Sequence, residues 1–536
     1  MSEKQTPKIK KTSAGCANEE IGLKSFFLGP QAENSEWVEY QVHHIFNSWF
    51  DWRRKFRPLD GAAISTADQE IPDFKRQQAY TEELLTELAE RFEREIPKFS
   101  PRYIGHMFSE ISLPALFGHI LTLLHNPNNI SAESAPVGVE IENEALQELA
   151  KMMGYKSALG HFTSGGTVAN YEMLFRARAK VEQRGHSMDS AVLLVPAHKH
   201  YSWVKGAYVF GIKNYWAIPL DDDGHLDTAA LSGLIDKANA ENRPIIGVIS
   251  VLGTTEMGLL DPIHKVQAVL DEKQTLGQAI WHHIDAAYGA FFRTVIGDDE
   301  EIQSVLSQSA VEALKAVPLA DSITLDPHKL GYVPYASGVF LCRAREDYTQ
   351  VAFGAPYVNF SEQTDKGLFT LEGSRSATGA AATWMTARAV GFDQKGYGRI
   401  ISRTIRIRRE LETALSALEG VRVAPRAETN LLCFALAYKG DSIEVANKRA
   451  NRFYQKMNQS DSPFYVSKTK LSLKDDAPYA KYVRKWMASL GLDISPEETS
   501  KELVLIRLTL MNPFIDSQEL KTRLMSEFVS LVEKEK

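Results

Sequence analysis

Along the chain, apolar residues change their spacing twice. From 36 to 97 they recur at helical intervals within strongly charged sequence, as in "DFKRQQAYTEELLTELAERFEREIP", which closes on Pro97. A helical N-terminal segment, suited to packing or dimerisation, is expected there. From about 100 to 395 the apolar residues gather into short runs: "AVLLVPA" (191–197), "PIIGVISVLG" (244–253), "AIWHHIDAAY" (279–288), "DSITLD" (321–326) and "GVFLC" (338–342). Runs this continuous are expected of strands buried on both faces. Stretches with helical spacing separate most of them: "VANYEMLFRARAKVEQ", "TAALSGLIDKANAEN" and "PIHKVQAVLDEKQ". The alternation predicts an α/β domain with a mainly parallel sheet.

Near 395 the pattern changes again. "RIISRTIRIRRELETALSALEG" puts Ile400, Ile407, Leu411, Ala414 and Leu418 on one stripe, with Gly420 as the expected C-cap and the arginines on a solvated face. "VRVAP", "NLLCFAL" and "ELVLIRLTLMNPF" then read as strands of a small α+β domain. The expected division is a tail and helical segment over 1–99, a large α/β domain over 100–395 and a small domain over 396–536.

Composition narrows the function classes. A chain of 536 residues, 44% apolar and 24% charged, has material for a large core in more than one domain. The net charge of −7, with no basic excess, argues against nucleic acid or an anionic membrane as partner. Cys16, Cys342 and Cys433 are far apart and fit reduced thiols in a cytoplasm. The polar N-terminus shows no signal-peptide core, and no apolar stretch approaches the roughly 20 residues of a spanning helix.

In open α/β sheets ligands bind beyond the carboxyl ends of the strands. Thr163, Ser164, Gly165 and Gly166 stand before a clear helix, where free N–H groups and the helix dipole would favour a phosphate. The same turn also reads as an ordinary N-cap. His198 and His200 follow one strand, Thr254 and Thr255 another. His282, His283 and Asp285 belong to a third run, and Asp326, His328 and Lys329 follow a fourth. Each alone fits a capping or hydrogen-bonded residue; together they exceed what packing requires.

Two chemistries compete for this set. Imidazoles and carboxylates could hold a metal, yet that leaves Lys329 and the Gly-Gly turn without a task. Pyridoxal 5′-phosphate uses every piece: a lysine for the covalent bond, a carboxylate for the pyridine nitrogen, a plane to stack on the ring and a helix N-terminus for the phosphate. An apolar surround is expected to favour the neutral amine of Lys329, with His328 beside it to meet the phosphate or the substrate adduct.

"TSGGTVAN", "HKHYSWVKGA", "GTTEMG", "HIDAAYGAF" and "DPHKLGYVPYASG" occur in the order found in group II pyridoxal-phosphate amino-acid decarboxylases, over most of the chain from about 100 to 513. "DPHKLGY" with "HNPNNISAESAP" upstream is most similar to bacterial tyrosine decarboxylases. The resemblance implies the aspartate aminotransferase-like fold, type I, of pyridoxal-phosphate-dependent transferases. It implies Lys329 as the covalent anchor, Asp285 at the pyridine nitrogen, His200 stacked on the ring, Ala287 on its other face and Thr254 near the ring substituents. Thr163, Ser164, Gly165 and His328 would hold the phosphate, and Tyr335 would return a proton to the substrate carbon, with Tyr357 its rival. Arg507 matches an arginine that meets a substrate carboxylate in glutamate enzymes, whereas Asp326, where many relatives carry Asn, is expected to cap backbone. Phe108, Tyr103 and the 353–371 loop are expected near the substrate. The implied activity is conversion of an L-amino acid to its amine and CO2. An aromatic substrate comes first and aspartate or glutamate second; the implied assembly is a cytoplasmic homodimer with a shared active site. A pyridoxal aminotransferase or carbon–carbon lyase, a metallohydrolase and a non-catalytic relative are the remaining readings.

Overall fold

The computed structural model describes residues 22–354, 356, 365–490 and 502–535. Seven strands make the first sheet: β1 (Leu159–Thr163), β2 (Val192–Pro196), β3 (Asn214–Ile218), β4 (Ile245–Val251), β5 (His282–Ala286), β6 (Ser322–Leu325) and β7 (Gly338–Cys342). Their order is β1-β7-β6-β5-β4-β2-β3. All residues of β2, β4, β5, β6 and β7 are buried, which is why these runs carry almost no polar alternation.

The pairs β2–β3, β2–β4, β4–β5 and β5–β6 are parallel. β7 runs antiparallel to both β6 and β1. Two reversals make β1 parallel to β6, so Thr163 ends at the same sheet edge as Leu325. The mostly parallel sheet expected from the alternating pattern is therefore present, with one reversed strand inside it.

Side chains along β5 divide by period two. Ile284 and Ala286 enter a core with Phe291, Phe292 and Leu325. His283 turns to the opposite face, edge-on to Trp203 at 5.4 Å between ring centres. Each fully buried large apolar side chain contributes about 1.5–3 kcal/mol, so the two layers fix the strand's register and with it the direction of Asp285.

The second sheet is antiparallel, with β8 (Val421–Val423), β9 (Leu431–Leu436), β10 (Ser467–Ser472) and β11 (Glu502–Thr509) in the order β10-β11-β9-β8. Ile104 packs in its core, and its carbonyl accepts from Thr509 N at 2.8 Å. The helix before it spans Arg399–Ser416. It ends earlier than its sequence pattern suggests. Gly420 is not its C-cap; it takes a left-handed turn (φ +80°) into β8. Arg408 also departs from the expected solvated face: it is buried and donates to the Thr429 carbonyl at 3.0 Å.

Upstream, helix α1 (Ser35–Lys55) rests on α2 (Leu113–His125) through Ile45, Leu113 and Phe117. Between them in sequence, the helix Pro72–Phe92 buries none of its residues.

Candidate active site

The carboxyl ends of the parallel strands enclose a cavity of about 330 Å³. At one end stands helix α3 (Gly166–Gln183), with Ser164, Gly165 and Gly166 on the cavity wall. Small residues are dictated by close approach. A Cβ on Gly166 would lie 2.9 Å from Asp326 Oδ2, and one on Gly338 only 2.4 Å from Gly165 Cα. β7 thus presses directly on the backbone of the turn. Thr163, expected among the phosphate ligands, is not on the wall; its hydroxyl donates to the Gly165 carbonyl at 3.1 Å.

Asp285 reaches the cavity from the end of β5. Asn170 Nδ2 and Trp203 Nε1 each donate to its Oδ2 at 2.9 Å, and Ala287 N donates to Oδ1 at 3.3 Å. Ser202 extends the network: its hydroxyl accepts from Asn170 at 3.1 Å and meets His200 Nδ1 at 2.9 Å. The Ser202 N–H donates to the same Nδ1 at 3.3 Å, which leaves Nε2 as the protonated nitrogen. Burial lowers the His200 pKa against the opposing pull of Asp285, so the ring is a neutral plane on the cavity wall. Ala287 lines the wall as well.

Lys329 does not sit in an apolar surround. Its Nζ is 3.0 Å from Asp326 Oδ2, and His328 Nε2 is 3.5 Å from the same oxygen. Asp326 is therefore no backbone cap. Its side chain is an ion-pair partner, and Oδ1 has no hydrogen-bond partner. Burial raises its pKa, but Lys329 and His328 outweigh burial and hold the carboxyl below its ordinary value. Ser337 N donates to His328 Nδ1 at 3.1 Å and fixes the ring. Tyr335 stacks on that ring, 4.1 Å between centres. Although 58% of Tyr335 is exposed, partial burial and the charge of Asp326 push its phenol up to about 12, so the hydroxyl keeps its proton at neutral pH.

Other candidates fall elsewhere. Thr255 lines the cavity; Thr254 instead accepts from Leu259 N at 3.0 Å inside a turn. His282 and His283 are interior strand residues bonded to Ser250 and Ser322, both at 2.8 Å, and burial lowers them to about 4 and about 3. His198 reaches the wall but is tied to Asp261 at 3.0 Å. Among the described residues no three His, Cys, Asp or Glu side chains group as metal ligands. Arg507 is buried off the cavity wall, donating to Ser467 Oγ at 3.2 Å with its Nε unpartnered. Tyr357 lies outside the described residues, as does part of the 353–371 loop.

A second cavity of about 210 Å³ shares His328, Lys329 and Tyr335 with the first and adds Phe108, Glu110 and Tyr332. Phe108 stacks on Tyr103 at 5.6 Å. Burial pushes the Glu110 carboxyl up to about 6. Sequence reasoning passed over Asn170, Ser202, Trp203 and Glu110. For Asn170 a signal existed: four residues after Gly166 it shares that residue's helix face. For Trp203 and Glu110 there was none, because their roles depend on tertiary contact.

The arrangement fits pyridoxal 5′-phosphate. An amine, a carboxylate held by three N–H donors, a neutral imidazole plane and a Cβ-free turn at a helix N-terminus surround one cavity. Residues 67–437 match the family model described as the pyridoxal-dependent decarboxylase conserved domain. The chain is 28% identical to an L-tyrosine decarboxylase of Levilactobacillus brevis, covering 93% of this chain and 94% of that one. It is 26% identical to an L-tyrosine decarboxylase of Enterococcus faecalis, covering 94% and 95%. Its fold superposes on the crystal structure of Catharanthus roseus tryptophan decarboxylase in complex with L-tryptophan, with a TM-score of 0.66 at 15% identity, covering 94% and 98%. Among the described residues, no helix is long and apolar enough to cross a membrane.

Proposed function

From the premise that this chain belongs to the pyridoxal-dependent decarboxylase family, we propose that its substrate is an aromatic L-amino acid, with tyrosine first, and its products the corresponding amine and CO2. The observation that carries the choice of substrate is near full-length similarity to the two L-tyrosine decarboxylases. The aromatic wall of Phe108, Tyr332 and Tyr335 beside Lys329 is in keeping with it.

Bound pyridoxal 5′-phosphate supplies an electron sink for the bond that loses CO2. Lys329 Nζ would hold the cofactor covalently. Asp285, oriented by Asn170 and Trp203, would keep the pyridine nitrogen protonated. His200 offers the stacking plane opposite Ala287. Ser164, Gly165 and His328 receive the phosphate, whereas Thr163 acts one step back by shaping the turn. Tyr335 carries the proton that returns to the substrate Cα. Arg507 donates to Ser467 Oγ and keeps Nε without a partner, and the proposed aromatic substrate assigns it no task.

Exposed apolar side chains support a homodimeric assembly. Tyr40, Phe56, Leu85 and Phe92 of the N-terminal region are each at least 64% exposed. A second copy of the chain that covered these residues would complete a homodimer.

Product analysis by mass spectrometry of cofactor-loaded protein with single L-amino acids tests the reading. Tyramine from tyrosine, with less amine from phenylalanine, is expected. Amine from aspartate or glutamate alone would replace the substrate assignment, and keto acid in place of amine would replace the reaction.

A further inference from the structure

Two carboxylates reach the cavity wall, and they are held in different ways. Three N–H donors surround Asp285. Asp326 is 2% exposed, has Lys329 Nζ at 3.0 Å as its close counter-charge, and keeps Oδ1 without a partner. It also lies against Gly166, at the end of the cavity where α3 offers its N-terminus to an anion. Lys329 neutralises it. Filling the site changes both conditions. Covalent attachment commits Nζ to the cofactor, and a phosphate at Ser164 and Gly165 brings negative charge alongside. A buried carboxylate that loses its cation and gains an anionic neighbour is favoured to bind a proton.

We propose that Asp326 takes up a proton as the site fills with a phosphate-bearing pyridoxal ligand, its carboxyl O–H then donating to a phosphate oxygen. The proton comes from solvent, and in this step no other bond is made or broken and no electron is moved. The inference rests on the pyridoxal reading of the cavity. Its consequence is that acid favours capture of the cofactor. Lys329 acts with the opposite sign, because its amine must be neutral to form the bond. The titratable groups that feel Asp326 are Lys329 and His328 on its own loop, Tyr335 further along it and His200 from the loop after β2. Gly166, against which Asp326 lies, carries no charge.

The experiment is equilibrium titration of the full chain with pyridoxal 5′-phosphate from pH 5.5 to 8.5, by calorimetry in buffers of differing protonation heat, for the natural chain and Asp326→Asn. The natural chain should bind about one more proton per site than the variant. Its Kd should weaken relative to the variant by up to about tenfold per pH unit on the alkaline side. Equal proton uptake, or a variant that binds at least tenfold more weakly at every pH, would overturn the proposal. A difference infrared spectrum of the natural chain serves even if the variant fails to fold. A new band of an un-ionised carboxyl on cofactor addition is expected, and its absence counts against the proposal. Failure of the natural chain to bind the cofactor at any pH would instead remove the pyridoxal reading itself.

Discussion

Glu142 and Glu172 are as deeply buried as Asp326, yet the fold treats them differently. Glu142 Oε1 accepts from Phe162 N and Arg375, and its Oε2 from Asn129 and Arg375, both at 3.2 Å. Glu172 Oε2 accepts from Arg176 at 2.6 Å; Oε1 accepts from Leu371 N at 2.9 Å and faces His161 Nε2 at 3.0 Å. Every oxygen of this pair of glutamates has a partner, whereas one oxygen of Asp326 has none. The glutamates tie α3, the helix Pro136–Met152 and the Arg375 segment together. The difference separates two kinds of buried carboxylate in one protein: with both oxygens partnered it locks elements together, and on the cavity wall one oxygen is left without a partner.

Lys329→Ala should give the largest effect. It should abolish the covalent cofactor chromophore and reduce decarboxylation on the order of 10⁴-fold or more, as loss of a covalent nucleophile does. Absorbance spectra and an amine assay would show it, and residual activity near the natural level would remove Lys329 from the chemistry. Tyr335→Phe should lower amine formation about 10²–10⁴-fold, the range for a lost general acid, and shift products towards aldehyde. An unchanged amine rate would pass the donor role to another group.

Arg375→Met attacks the other side of the comparison. It leaves Glu142 buried and unpaired, which costs about 3–5 kcal/mol. The urea midpoint should drop, while the cofactor spectrum per folded molecule stays the same. Lost activity at full stability would erase the distinction drawn between the two regions. The most gradual effect is on acid stability. His282 and His283 are held neutral, at about 4 and about 3 against 6.5, so their contribution is whole above pH 6.5 and is lost as pH falls. Glu172, opposed by burial but lowered to about 2 by His161 and Arg176, adds its loss between 4.5 and about 2. Each group removes at most about 1.4 kcal/mol per pH unit within its window. Urea midpoints that stay level from pH 7 to 4 would contradict this.

Much of the fold was legible because β2, β4, β5, β6 and β7 are buried on both faces and therefore written as unbroken apolar runs. β1 was not, since "LGHFT" carries a histidine that only tertiary pairing with Tyr348 and Glu172 makes tolerable. β3 alternates exposed and covered residues at the sheet edge and so lacks the unbroken apolar run that marks the others. At the site, short motifs mark Lys329, Asp285 and His200 at strand ends, where the fold brings them to one cavity. A choice between adjacent threonines was beyond sequence, because a turn decides whether Thr254 or Thr255 faces inward. Asp326 was misread for the same reason: a capping role and an ion pair use the same side chain, and only the position of Lys329 Nζ separates them.

The contact between Gly338 and Gly165 carries a lesson for redesign. A side chain at 338 would meet main chain 2.4 Å away, and main chain cannot change rotamer to make room. That position is closed to a variant library whatever substrate is sought. Phe108 and Glu110, on the neighbouring 210 Å³ wall, meet space that other side chains can fill. Substrate choice in this scaffold is therefore free to drift at one wall while the seat of the cofactor stays fixed at the other.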